Sequence, residues 1–358
     1  MNPCIITLGT ALPSHRYSQE ELRVAYHDVA DNQLRPRSVR IVDKVFAPSN
    51  GIDRRALACA EPRTIAAEGP DELHERFRQH AVQLGTAAIE SALRDTEIEP
   101  TAIQALVACT CTGYLCPGLS SYLAENLALR EDLKVFDLVG MGCGASVPGL
   151  YLARQLARSA EPMLVALVSA EVCSATAYFG DDPELIVSNC IFADGAAAAI
   201  ISNDSHGQDR PALELIDFES SLWPEYRDHL RFRQSHGRLR NCLSRDVPDL
   251  ASDMADRTLR RLLNRHKLDI GQIDRWAIHP GGKLVLERFA ERLNLSQKQL
   301  QDSYYVLANY GNMSSPSVLF VLDSLVRRSE WRPGDYVICL AFGAGLSCHA
   351  GLFRVRCE

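Results

Sequence analysis

Cys143 stands between Gly142 and Gly144 in "DLVGMGCGASVPGL", where an apolar run meets small residues and a helix begins. A thiol at such a strand-to-helix elbow faces the unpaired N–H groups of the helix, which favour a thiolate, and the glycines let a substrate carbonyl come close. Read alone, the segment fits equally well a buried cysteine in a small-residue packing seam. Further along, "WAIHPGGK" ends an apolar run with His279 and a glycine turn, and "LANYGNMSSPSVL" sets Asn312 just before a helix that starts near Ser315 and Pro316. A single histidine is usually a hydrogen-bonded residue and a single asparagine at a helix start usually a cap. A thiol, an imidazole and a carboxamide at three glycine-lined tips nevertheless meet the demands of thioester acyl transfer. The sulfur takes the acyl group, and two donors hold the oxyanion of a thioester enolate. That chemistry requires the three tips to converge.

The elements that would bring them together alternate along the chain. Apolar runs read as strands at "CIITLGTAL", "ALVACTC", "MLVALVSAEV", "AAAAIISND", "RWAIHP", "YYVLANYG", "YVICLAFGAG" and "CHAGLFRV". Between them, "QEELRVAYHDVADNQL", "AVQLGTAAIESALRDT", "DLASDMADRTLRRLLNRHK", "KLVLERFAERLNL" and "SPSVLFVLDSLVRR" carry helical periodicity. Strand and helix in turn predict an α/β protein. "ALVACTCTG" pairs with "RWAIHPGGK", and "IFADGAAAAIIS" with "LAFGAGLSCHAGLF", which suggests an internal duplication. Turn-formers and charges cluster at "SNDSHGQDRPALEL", so the expected boundary separates a half spanning 1–205, with Cys143, from a half spanning 206–358, with His279 and Asn312.

Composition narrows the function classes. A formal charge of −7 argues against an extended nucleic-acid or anionic-membrane surface. The twelve cysteines are scattered, no secretory leader pattern opens the chain and no run reaches the roughly 20 apolar residues of a membrane span, so a reducing cytoplasm is expected. Cys109, Cys111 and Cys116 form Cys-x-Cys-x4-Cys without a nearby fourth ligand, which is too little for zinc, and no metal is expected.

Over nearly its whole length the chain resembles the type III polyketide synthases, the chalcone-synthase-like enzymes of the thiolase superfamily. "GMGCGA", "IFADGAAA", "LSRDVP", "IHPGGK", "YGNMSSPSVLF" and "LAFGAGLS" carry the resemblance, in the family's order. It implies a thiolase-like duplicated five-layer αβαβα fold and a homodimer. It also implies that Cys143 takes a starter from an acyl-CoA, while His279 and Asn312 bind the malonyl-CoA thioester, promote loss of CO2 and stabilise the enolate. His279 would pair with Cys143 and favour its thiolate. Coenzyme A thioesters are substrates here, and no cofactor is needed. Phe192 takes the place of a gatekeeping phenylalanine, and Asn241 stands where the family has a second one. Thr112, Cys116, Thr176, Ser188, Phe232 and Ser314 match cavity-shaping positions, Cys116 where the family reaches across the dimer. Ala344 replaces a proline of the plant enzymes. Arg54 and Arg55 in "GIDRRAL" are candidates for coenzyme A phosphates, with a solvated charge pair as the alternative. The expected function is iterative decarboxylative condensation and cyclisation, with a medium or long acyl starter giving an alkylpyrone or alkylresorcinol. The alternatives are a single-condensation ketoacyl synthase III-like enzyme and a catalytically silent acyl-binding scaffold. Starter, number of extensions and ring closure depend on cavity shape, which the sequence leaves open.

Overall fold

The central strands are buried on both faces, and successive side chains enter different cores, which sorts the elements into layers. The computed structural model describes residues 2–30, 34–94, 96–177, 179–204, 212–328 and 330–356. The first part runs β1 (Cys4–Ala11), β2 (Arg16–Ser18), α1 (Gln19–Ala30), α2 (Pro36–Phe46), β3 (Arg54–Ala56), α3 (Pro70–Leu93), β4 (Ala105–Thr110), α4 (Leu119–Asn126), β5 (Lys134–Val139), α5 (Ser146–Ala157), β6 (Leu164–Val172), α6 (Pro183–Ile191) and β7 (Asp194–Ser202). The second runs β8 (Ala212–Leu222), β9 (Leu230–Ser235), β10 (Arg238–Leu243), α7 (Val247–His266), β11 (Arg275–Ile278), α8 (Lys283–Leu293), α9 (Gln301–Tyr310), α10 (Ser317–Arg328), β12 (Tyr336–Gly343) and β13 (Ser347–Arg356).

Nine strands join in the order β11-β12-β13-β8-β1-β7-β6-β4-β5. The seam is short, Cys4 opposite Glu214 and Ile5 opposite Leu213. On either side of it the pairing repeats. β1 is antiparallel to β7, β7 to β6, and β6 runs parallel to β4. β8 is antiparallel to β13, β13 to β12, and β12 runs parallel to β11. The similar segments "ALVACTCTG" and "RWAIHPGGK" thus begin on equivalent strands, β4 and β11.

Val107, Leu167 and Ala199 of the first half and Ala277, Cys339 and Phe353 of the second share one core with Leu150 of α5 and Leu322 of α10. Their neighbours along the strands point the other way. Leu106, Ala166 and Ile200 pack on Ala88 of α3 and Leu123 of α4, while Trp276, Ile338 and Leu352 pack on Leu259 of α7 and Phe289 of α8. Helix, sheet, paired helices, sheet, helix make the expected five layers. Cutting a fully buried central leucine such as Leu150 back to alanine costs roughly 2–5 kcal/mol.

One expected strand is a helix. "YYVLANYG" lies mostly in α9, where Asp302, Ser303, Val306 and Leu307 are buried at three- and four-residue spacing, the period of a helix rather than of a strand. The expected boundary at 205/206 lies outside the described residues. Among the described residues no helix is long and apolar enough to cross a membrane.

Candidate active site

β5 ends at Val139, residues Gly142–Gly144 form one tight 3-10 turn, and α5 begins at Ser146. The turn needs Gly142. Its φ is 63°, and a Cβ there would stand 2.7 Å from the Ala344 nitrogen. Cys143 is 7% exposed, so the elbow holds its sulfur inside the protein and not at the surface. Ser314 also has a left-handed backbone, φ 63°, which is uncommon for a residue with a side chain. Its hydroxyl donates to Cys143 Sγ at 3.3 Å and lies 3.3 Å from Cys111 Sγ. The hydroxyl's one proton goes to Cys143, so Cys111 is the donor to Ser314.

Hydrogen bonds then lead from the sulfur to both other tips. Ser314 N–H donates to Asn312 Oδ1 at 2.9 Å, and Asn312 Nδ2 donates to the Gly281 carbonyl at 3.1 Å. Gly281 N–H donates to the His279 carbonyl at 3.0 Å, and His279 N–H to Leu340 of β12 at 2.8 Å. The His279 ring is fully buried edge-on to Phe342, centroids 5.3 Å apart. Among the described residues neither ring nitrogen has a hydrogen-bond partner. In this state the side-chain partner of the Cys143 thiol is the Ser314 hydroxyl.

Burial also sets the charge states of the resting pair. Burial pushes the Cys143 thiol up to about 12, against the Ser314 hydrogen bond that lowers it, and the nearby Glu171 carboxylate raises it further. Burial alone pushes His279 down to about 3. At neutral pH the resting site holds a thiol and a neutral imidazole, because a lone charge in this apolar setting is costly whichever group carries it.

Space around the sulfur is tiered. The cavity at Cys143 measures about 20 Å³ and is lined by Cys111, Thr112, Cys173, Thr176, Phe192, Phe232, Asn241 and Ser314 among others. That holds little more than a water molecule. It borders two further spaces. Cys173, Thr176, Phe192 and Asn241 also line an apolar recess of about 60 Å³, with Leu22, Tyr26, Phe46 and Ser188. Cys111, Thr112, Gly142, Arg231, Phe232 and Ala344 also line a chamber of about 660 Å³, which falls within the range of small-molecule sites. Half-buried Phe192 stands between recess and cavity. Cys116 is exposed and lines none of these three spaces.

Glu171 escaped the sequence reading. It is fully buried at the end of β6, and its Oε2 accepts from Thr110 Oγ1, Cys111 N–H, Thr112 N–H and Thr112 Oγ1 at 2.8–3.2 Å, while Oε1 accepts from Ser315 Oγ. It fastens the strand tip of β4 to the loop that carries Ser314. Its place within the apolar run "MLVALVSAEV" was the available signal, since a lone acid inside a buried strand needs a full set of donors.

Arg55 is a second correction. It is 2% exposed and does not face solvent or the phosphates of a bound nucleotide. Its guanidinium donates to Gln19 Oε1 at 3.0 Å, to the Asn189 carbonyl at 2.9 Å and to the Phe192 carbonyl at 2.6 Å. β3 turns its neighbour outward, so Arg54 is exposed.

A family model described as FAE1/type III polyketide synthase-like protein matches residues 11–265, and a second, the C-terminal domain of chalcone and stilbene synthases, matches residues 217–356. The chain belongs to the type III polyketide synthase family. It is 28% identical to a 3,5-dihydroxyphenylacetyl-CoA synthase of Streptomyces toyocaensis, over 98% of this chain and 90% of that protein. It is 30% identical to an alpha-pyrone synthesis polyketide synthase-like protein of Mycobacterium tuberculosis, over 97% of this chain and 90% of that one. The solved C-terminal type III domain of a type I/III hybrid synthase from Dictyostelium superposes with a TM-score of 0.90 at 25% identity, over 99% of both chains. As a type III polyketide synthase the protein is a condensing acyltransferase working on coenzyme A thioesters, a chemistry for which the family needs no additional cofactor. The five layers are the thiolase-like fold of these synthases.

Proposed function

We propose that Cys143 receives the acyl group of a starter coenzyme A thioester: the thiol proton passes to His279 as the substrate enters, the sulfur attacks the carbonyl, and coenzyme A leaves as its C–S bond breaks and takes the proton from His279. A proton moved between two neutral groups leaves the pocket with no net charge, which is the cheapest route to a thiolate where burial opposes either ion alone. Malonyl-CoA then loses CO2, and the electron pair of the broken C–C bond becomes an enolate held by N–H donors of His279 and Asn312. The enolate carbon attacks the Cys143 thioester, the C–S bond breaks and the extended chain leaves on coenzyme A, ready to be loaded again. One observation carries this reading: the hydrogen-bonded path from Cys143 through Ser314 and Asn312 to the His279 turn, beside an imidazole whose two buried nitrogens have no partner among the described residues.

The starter is a medium or long acyl chain and the product an alkylpyrone or alkylresorcinol. Support comes from the apolar recess behind Phe192, lined by Leu22, Tyr26, Phe46 and Phe179, and from the large chamber into which a growing chain can fold. Asn241 in place of a second aromatic leaves a narrow polar passage between recess and cavity. Arg54, exposed, is the remaining candidate for coenzyme A phosphates.

The half spanning 1–205 supplies the sulfur and the half spanning 206–358 the imidazole and carboxamide. The enzyme acts as a homodimer in the cytoplasm. β5 is an edge strand with Val135, Phe136 and Val139 exposed beside exposed Tyr114, an apolar face suited to a second copy that would carry Cys116 toward its partner. Cys59, Cys109, Cys111, Cys116, Cys143, Cys173, Cys190, Cys242, Cys339 and Cys348 are thiols, as a reducing compartment keeps them. The test is incubation of the protein with a panel of acyl-CoA thioesters and malonyl-CoA, followed by mass spectrometry. Pyrones or resorcinols carrying the starter's alkyl tail support the reading. Release of a once-condensed 3-ketoacyl thioester alone overturns it.

A further inference from the structure

Arg55 is a buried cation to which no carboxylate is hydrogen-bonded among the described residues; nearby Asp194 favours the charge and the Phe46 ring lies 5.8 Å from its guanidinium carbon, yet its burial remains expensive enough to require a reason. Burial lowers its pKa to about 10. Among the described residues its three hydrogen bonds go to one carboxamide and two main-chain carbonyls, all of them neutral. The two carbonyls are those of Asn189, in the last turn of α6, and Phe192, the residue just beyond it. Gln19, which accepts from Arg55, itself donates to the Cys190 carbonyl at 3.0 Å. Between them the two side chains take three carbonyls at the negative end of the α6 dipole.

The neighbouring peptide groups point the other way. Asn312 N–H donates to the Ile191 carbonyl at 3.1 Å, and Ala193 N–H donates to the Asn312 carbonyl at 2.8 Å, a parallel bridge between Phe192 and Asn312. In extended backbone, successive peptide groups face opposite sides. Phe192 is therefore gripped by Asn312 on one side and by Arg55 on the other. Gly311 makes the grip possible, because a Cβ there would stand 2.7 Å from Arg55 Cγ, at φ 72°.

We infer that Arg55 is a positioning residue which sets the ring of Phe192 and the carboxamide of Asn312 in register, and so couples loss of CO2 to carbon–carbon bond formation. The inference rests on the proposed roles of Phe192 and Asn312. An enolate formed in a loosened site is protonated to acetyl-CoA before it meets the Cys143 thioester, with the proton drawn from water.

Arg55→Lys keeps the charge but reaches fewer carbonyls; Arg55→Met keeps length alone; Gln19→Leu leaves Arg55 and removes its carboxamide partner. Each variant is assayed for acyl loading by intact-protein mass, for the ratio of condensed product to acetyl-CoA, and for amide hydrogen exchange. The expected result is loading at the wild-type level, a product ratio at least about tenfold lower in Arg55→Met with partial recovery in Arg55→Lys, and faster exchange at the Ala193 and Asn312 amides. Gln19→Leu shifts the same readouts less. An unchanged ratio with unchanged exchange in the folded variants overturns the inference, as does equal loss of loading and condensation, which would mark a merely structural role. Exchange is read without substrate, so it judges Arg55 even if the wild type fails to load Cys143, a result that would instead overturn the functional reading.

Discussion

The hydroxyl of Ser314 lies 3.3 Å from the sulfur of Cys143 and points its proton at it, while the imidazole of His279 holds no hydrogen bond among the described residues. The nucleophile of the resting protein is thus a buried thiol that faces one alcohol in a space of about 20 Å³. Its activation waits for substrate.

Replacing Ser314 with alanine removes the larger of the two hydrogen bonds that oppose the upward push of burial on the thiol, the other coming from the main chain. The rate of acyl loading falls about two- to tenfold, the value of one net hydrogen bond, with little change in fold. Stopped-flow or quenched-flow mass measurements of the acyl-enzyme read it. Loading at the wild-type rate would mean that Ser314 is a packing residue only.

Alkylation reports the resting charge state directly. With the thiol pushed up to about 12, the thiolate fraction grows tenfold per pH unit through neutrality. The rate of Cys143 carbamidomethylation by iodoacetamide accordingly rises about tenfold per unit from pH 6 to 8.5. A plateau already reached at pH 6 would reveal a standing thiolate–imidazolium pair.

Two buried imidazoles make the fold acid-sensitive. In the unfolded chain a histidine takes its proton near pH 6.5, whereas folded His279 does so only near 3 and folded His349 near 4 because burial disfavours the cation. Between those limits the unfolded chain binds more protons, so stability is intact above about pH 6.5 and drains away as pH falls. By pH 5 the loss is about 2 kcal/mol per histidine. Chemical denaturation at pH 7, 6 and 5 measures it, and His349→Gln should flatten the slope by about one proton. A slope that stays unchanged in that variant would contradict the assignment.

Asn241 touches both the recess and the cavity at Cys143. Asn241→Phe narrows the passage between them, so long acyl starters lose activity by an order of magnitude or more and short starters keep it. Product profiles across a series of acyl-CoA chain lengths give the answer. An unaltered chain-length preference would show that starters bypass this residue.

Much of the scaffold was legible because its signals are local. Runs such as "ALVACTC" and "RWAIHP" are short, apolar and bounded by turn-formers, and they became β4 and β11, equivalent strands of a duplicated sheet. "YYVLANYG" misled because aromatic and branched residues favour strands in isolation, while the burial of Ser303 and Val306 on one face is a tertiary fact. Cys143, His279 and Asn312 stood out by glycine context. What joins them did not, since the Ser314–Cys143 contact spans 171 positions and Glu171 gathers donors 60 and 144 positions away, so both depend on elements distant in sequence. Arg54 and Arg55 looked alike in the sequence, and only the strand's alternation separates an exposed guanidinium from one that caps α6.

The most direct test of Cys143 as the carrier of the growing chain is intact-protein mass spectrometry with peptide mapping, after mixing the protein with a medium-chain acyl-CoA and no malonyl-CoA. The account predicts one acyl group on the peptide containing Cys143, lost in Cys143→Ala together with all product formation. An acyl group on another residue, or normal product from Cys143→Ala, would contradict it.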